Sequence, residues 1–160
     1  MTHDATLSLF LSDDASTTRF GSLMARLVRA GDTLLLSGPI GAGKTHFARA
    51  LIQARLARPE DVPSPSFTLV QTYPADGTDI WHADLYRLSH PDEVLELGLE
   101  DAFATAICLI EWPDRLGRST PANALRISLS CEGNGRRADL SGPSHATLLD
   151  RLATLWAADD

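Results

Sequence analysis

The sequence predicts an α/β protein with a mainly parallel central sheet, flanked by helices and extended by antiparallel hairpins. Three observations predict it. A short, continuously apolar run, Thr33–Ser37, leads into a glycine-rich turn and then a helical pattern, the opening of a βαβ unit. A second such run, Ile107–Glu111, follows later, and runs of this kind suit parallel strands covered on both faces. Asp76-Gly77 and Gly133-Asn134-Gly135 each separate two strand-like segments, as hairpin turns do. The chain has 160 residues, and we expect residues 1–160 to form one domain around one core.

The elements follow in order. Residues 12–30 read as a helix: Ser12, Asp13 and Asp14 offer caps, Phe20, Leu23, Met24 and Leu27 share a face, and Gly31 can end it. Thr33–Ser37 is the first strand, residues 38–43 the glycine turn, and residues 45–56 a helix with Phe47, Ala48, Leu51 and Ile52 on one side. Residues 57–66 hold three prolines and read as a loop. Residues 67–73 and 79–84 pair as a hairpin. Residues 89–97 form a short helix with Pro91 in its first turn and Gly98 after its end. Ile107–Glu111 is a buried strand. Residues 125–131 alternate and pair with a strand near residues 137–140. Leu148, Leu149, Leu152, Leu155 and Trp156 mark a C-terminal helix.

Composition narrows the function classes. The apolar fraction is 44% and the charged fraction 22%, ordinary for a globular protein. No apolar run approaches the roughly 18 residues of a membrane span, and residues 1–10 do not resemble a signal peptide, so we expect a cytoplasmic protein. Cys108 and Cys131 are expected to be free thiols. The net charge is -7 and the arginines are scattered, so no basic stripe tracks a nucleic acid backbone. If the chain serves a nucleic acid pathway, a partner holds the polymer. Of 14 basic residues, 13 are arginine, and Lys44 is the one lysine. It stands where a compact ammonium, not a planar guanidinium, fits among phosphates.

That place is the segment Gly38-Pro39-Ile40-Gly41-Ala42-Gly43-Lys44-Thr45, which fits the Walker A pattern with a strand before it and a helix after it. The glycines let successive N–H groups point into one concavity, and the helix start adds partial positive charge. Lys44 reaches the terminal phosphates and Thr45 offers a hydroxyl to magnesium. A P-loop NTPase binding ATP and Mg2+ is the expectation. Glu111 follows a buried strand, where it either serves magnesium, orients water or simply ends the strand at the surface. Trp112 either packs on the nucleotide or covers an apolar edge. In His82-Ala83-Asp84-Leu85-Tyr86-Arg87, Asp84 either serves magnesium or caps structure, and His82 lies on the same side of the strand as a possible second ligand. Tyr86 and Arg87 read as packing and surface ion-pair residues. Val62-Pro63-Ser64-Pro65-Ser66-Phe67 is either a phosphate-sensing loop, with Ser66 the contact, or a rigid connector.

Together these segments resemble the TsaE (YjeE) ATPases of bacterial tRNA threonylcarbamoyladenosine synthesis. Gly41-Ala42-Gly43-Lys44-Thr45, Ser64-Pro65-Ser66-Phe67-Thr68, His82 to Arg87 and Glu111-Trp112-Pro113 carry the resemblance, which spans nearly the whole chain. It implies Thr45 and Glu111 as magnesium ligands with Asp84 a second acidic group, so that Lys44, Glu111 and Asp84 carry the chemistry. It places Trp112, Arg136 and Thr17 near the nucleotide and makes residues 64–67 a switch-like loop. It also implies weak ATP hydrolysis alone and binding to the TsaB–TsaD heterodimer, which modifies the adenosine beside the tRNA anticodon; hydrolysis would reset that complex, and tRNA would be met only through it. Pro39 departs from the family's acidic residue, Ser66 from its Thr, and His46, beside the phosphates, from a common Thr.

Rival expectations are a small-molecule or nucleotide kinase, with Arg115 and Arg118 as a miniature lid, and a nucleotide-gated binding module with incidental hydrolysis. A GTPase of the usual kind needs an Asn/Thr-Lys-x-Asp motif, which a chain whose one lysine is Lys44 cannot contain.

Overall fold

The computed structural model describes residues 5–56, 61–65, 69–75, 77–88, 90 and 92–158. Its framework is one seven-stranded sheet in the order β1-β7-β6-β2-β5-β4-β3. The strands are β1 (Thr6–Leu11), β2 (Thr33–Ser37), β3 (Val70–Ala75), β4 (Thr78–Asp84), β5 (Ile107–Glu111), β6 (Leu125–Glu132) and β7 (Gly135–Ser141). The helices are α1 (Asp14–Leu27), α2 (Lys44–Arg55), α3 (Glu93–Leu97), α4 (Leu99–Thr105) and α5 (Ala146–Ala158). The four middle strands, β6, β2, β5 and β4, run parallel. β3 adds antiparallel to β4, β7 to β6, and β1 to β7. This is the mainly parallel sheet with hairpin additions that the turn signals predict.

Alternation along the strands sorts side chains to two faces. On one face Leu34, Leu36, Ile107, Leu109, Leu125, Ile127 and Leu129 pack under α1, α2 and α5. Phe20 of α1 and Phe47 of α2 meet there with ring centroids 4.5 Å apart. α1 and α2 come close because Gly21 carries no side chain: a Cβ there would lie 2.6 Å from that of Ala50. On the other face Leu35, Cys108 and Ile110 pack with Leu85, Leu88, Val94, Leu99 and Leu116 from the shorter segments after β4 and β5. Both cysteines are free, and burial pushes the Cys108 thiol up to about 12.

The structure moves several boundaries. The first helix is shorter than residues 12–30: the Asp13 side chain accepts from the Ser16 N–H at its start, and the helix ends at Leu27. Gly31, with φ 92, shapes the turn into β2 instead. Gly98, with φ 78, separates α3 from α4, a helix absent from the sequence reading. Nor does that reading contain the 3-10 segment Pro113–Ser119 or β1. The β1 segment does alternate, Leu7, Leu9 and Leu11 against Thr6, Ser8 and Phe10, but six residues at one end of a chain become a strand only by pairing with β7.

Candidate nucleotide and metal site

The site lies where β2, β5 and β4 end together, at their C-terminal edge, as ligand crevices do in parallel sheets. β2 runs into the glycine turn, and α2 starts at Lys44. The turn depends on backbone that only glycine adopts easily. Gly38 has φ 142, and a Cβ there would collide with the Leu129 carbonyl oxygen of β6. Gly43 has φ 101 at the N-cap of α2, and a Cβ there would meet Arg136 Nη1 at 3.1 Å. The same tightness therefore lays the Arg136 guanidinium of β7 against the loop.

The acidic groups arrive from the sheet. Asp84 and Glu111 are register partners across the β4–β5 pair, so both project toward the face that carries α2. Thr45 Oγ1 donates to Glu111 Oε1 at 2.8 Å, tying the first turn of α2 to the end of β5. His82 Nε2 lies 2.7 Å from Glu111 Oε2. Glu111 is 2% exposed and His82 fully buried, so this carboxylate is held at both oxygens inside the protein. His82 and Asp84 do share a side of β4, as alternation requires, and the imidazole Nε2 lies against Glu111. Asp84 Oδ1 accepts from the Tyr86 N–H at 3.1 Å.

Lys44 Nζ donates to the Gly38 carbonyl, lies 3.5 Å from that of Pro39, and sits 3.8 Å from the Trp112 ring centroid, a cation–π contact. Burial holds the Lys44 ammonium below its ordinary value of 10.5; Glu111, Asp84 and Asp114 pull it partly back. Burial pushes the Asp84 carboxyl above 3.8; the Tyr86 N–H opposes that, Glu111 adds to it, and His82 and Lys44 oppose it. Trp112 has φ 58 and ψ 55, a left-handed backbone that is costly for a bulky residue and worth about 1–3 kcal/mol of strain. Its ring packs against Tyr86, with centroids 5.0 Å apart.

These groups line a cleft of about 400 Å³, large enough for a small-molecule ligand. The sequence-predicted residues Ile40, Gly41, Gly43, Lys44, Thr45, His46, Asp84, Glu111, Trp112 and Arg136 all line it, and Ile40 is 78% exposed. Gly38, Pro39 and Ala42 complete the loop but are not among the residues that line the cleft. His46 is anchored by Thr18, Oγ1 to Nε2 at 2.8 Å. Thr17 is buried in α1 and does not border the cleft. Ser64 lines the cleft, whereas Ser66, the predicted phosphate contact, lies outside the described residues. Tyr86 and Arg87, read from sequence as packing and surface residues, line it as well. Arg115 and Arg118, offered as a kinase lid, are exposed on the 3-10 segment and are not among the residues that line it. The partner of Glu111 escapes sequence reading because 29 positions separate it from His82; the two-residue offset from Asp84 was the only signal.

The donor chemistry fits magnesium. A hydroxyl and two carboxylates are hard oxygen donors, and magnesium between phosphates needs only one or two carboxylates from the protein. No group of three His, Cys, Asp or Glu gathers as a metal cage among the described residues. No helix among them is long and apolar enough to cross a membrane.

Comparison with known proteins places this chain in a family. Residues 11–138 match the family model described as threonylcarbamoyl adenosine biosynthesis protein TsaE. Proteins named tRNA threonylcarbamoyladenosine biosynthesis protein TsaE are similar throughout. The one from a Nostoc species is 35% identical over 159 residues, covering 96% of each chain. That of Rickettsia felis is 33% identical over 146 residues, covering 90% of this chain and 85% of the relative. That of Haemophilus influenzae is 34% identical over 140 residues, covering 84% and 88%. The crystal structure of Bacillus subtilis YdiB has the same fold, with a TM-score of 0.79 at 23% identity, covering 96% of this chain and 98% of that one. The chain belongs to the TsaE family of tRNA threonylcarbamoyladenosine biosynthesis.

Proposed function

We propose that this protein is a magnesium-dependent ATPase that works with the TsaB–TsaD heterodimer and meets tRNA only through that complex, in the cytoplasm. The observation that supports it most is the Thr45–Glu111 hydrogen bond, with Asp84 beside it in register. It sets the P-loop hydroxyl against a buried carboxylate, the pairing a metal–phosphate site uses.

The chain's own groups have distinct tasks. Backbone N–H groups of the glycine turn and the start of α2 hold the phosphates. Lys44 balances their charge, with Arg136 beside Gly43 and Arg87 elsewhere on the cleft wall. Glu111 accepts a hydrogen bond from the attacking water and aims it. Trp112 and Tyr86 shield the terminal phosphate from bulk water. Thr45 and Glu111, with Asp84, would hold magnesium, which would neutralise phosphate charge when bound. Slow hydrolysis alone is expected, because completing such a site with a well-placed arginine is worth about 10³–10⁵ in rate.

The test is the ATPase rate of the chain with and without purified TsaB–TsaD and tRNA. A rate raised by the pair is expected; no hydrolysis in the complete mixture overturns the ATPase reading. Lys44→Ala is expected to abolish ATP binding, and Glu111→Ala to spare binding while stopping hydrolysis. Normal turnover by the Glu111 variant with the partners present sinks its catalytic assignment.

A further inference from the structure

We propose that His82 is a positioning residue for hydrolysis: its ring N–H holds Glu111 Oε2 and so aims Oε1 at the reacting end of the cleft. The inference rests on the magnesium-ATPase reading of Glu111 above. His82 stands two residues before Asp84 on β4, so its side chain reaches the same face, while the parallel register sets Asp84 opposite Glu111. The imidazole thus meets the carboxylate from behind, at 2.7 Å, with no exposure to solvent.

The hydrogen-bond inventory points to one tautomer. Glu111 Oε1 already accepts from Thr45, and a buried carboxylate oxygen needs a donor as well on its other side. His82 Nδ1 has no hydrogen-bond partner among the described residues. A neutral ring protonated at Nε2 gives Oε2 its donor and leaves only a lone pair, not an N–H, unmatched at Nδ1.

The two oxygens of Glu111 are therefore unequal. Oε1 accepts from Thr45, which lines the cleft; Oε2 meets His82, which is buried in β4 and does not line it. Without the tie the carboxylate turns about its terminal torsion, which is broad and soft, and loses its aim. Groups that orient a metal-binding or reacting carboxylate in this way typically contribute about 10–100-fold to metal affinity or activity.

The experiment uses the chain with TsaB–TsaD and tRNA, in a steady-state ATPase assay titrated with Mg2+. For His82→Phe we expect kcat to fall about 10–100-fold, or half-saturation in Mg2+ to rise by as much. Affinity for ATP measured without magnesium should stay within about twofold, since no phosphate contact is lost. His82→Gln, which keeps an N–H donor, should recover most of the loss. The double variant Glu111→Gln with His82→Phe should be no slower than Glu111→Gln alone, because His82 acts only through Glu111. Normal hydrolysis by Glu111→Gln overturns the reading of the site itself. Loss of activity in Glu111→Gln with an unchanged kcat and Mg2+ dependence in His82→Phe overturns only the role of His82. If His82→Phe does not fold, NMR of the native protein decides. The His82 proton should reside on Nε2, exchange slowly and shift in Glu111→Gln; a proton on Nδ1, or no shift, overturns the proposal.

Discussion

The two halves of the sheet are built differently. β2 and β5 are buried almost throughout, with helices on one face and the short segments after β4 and β5 on the other. β6 alternates: Leu125, Ile127 and Leu129 enter the core, while Arg126, Ser128 and Ser130 face solvent. A strand clamped on both faces has little freedom to shift its end. The glycine turn and Glu111 leave these two strands, with Asp84 at the end of β4 beside them, and the proposed phosphate chemistry requires their positions to agree to within a fraction of an ångström. The one-sided hairpin delivers a single long, adjustable group, Arg136, whose reach tolerates more play. Site geometry is concentrated where the burial is double.

Substitutions can break or sharpen that contrast. The largest effect is expected from Ile110→Ala, which empties a fully buried position of β5 and should cost about 2–5 kcal/mol in urea unfolding. Arg126→Ala, on the solvent face of β6, should stay within about 0.5 kcal/mol. Similar losses at the two positions would remove the distinction. Arg136→Ala should weaken nucleotide binding about tenfold, roughly 1.4 kcal/mol, with the melting temperature nearly unchanged. A larger loss of stability than of affinity would make it a structural strut of the loop instead.

The smallest effect concerns Asp84, whose carboxyl is raised above 3.8 chiefly by burial. Below 3.8 the group is neutral in both folded and unfolded chains. As pH rises through the window above 3.8, the folded state holds its proton longer, and stability falls. Asp84→Asn removes that loss, so it should melt slightly higher than the parent at neutral pH, with the gap closing as pH drops toward 4. Activity should fall in the same variant. A melting-temperature gap that widens in acid would mean that Asp84 is favourably paired, not merely buried.

The elements legible in the sequence are those whose signal is local. Thr33–Ser37 and Ile107–Glu111 stand where their apolar runs put them, and both hairpins turn at the predicted glycines. β1 and α4 were missed for a common reason: each is short, and neither is stable without its neighbour in the fold. Among candidate site residues, the glycine-rich turn and Lys44 stand on the cleft wall where the motif puts them, because glycine backbone and the helix start are local features. Tyr86 does pack, as its sequence reading has it, but its partner Trp112 follows β5 with a left-handed backbone that no periodicity announces, so its place on the cleft wall was not legible.

By itself the sequence determined most of the succession of strands and helices, the glycine-rich turn at residues 38–43 and, through its combined motifs, the family. These follow from backbone preferences and apolar spacing within a few residues of each other. Only the tertiary structure decided that Thr45 meets Glu111 across 66 positions, that His82 lies against the same carboxylate, and that Arg136 lies on Gly43. The physical reason is the strand order: β2, β5 and β4 become neighbours through crossovers, and β7 returns beside β6, so contacts between their ends depend on register that no local pattern encodes.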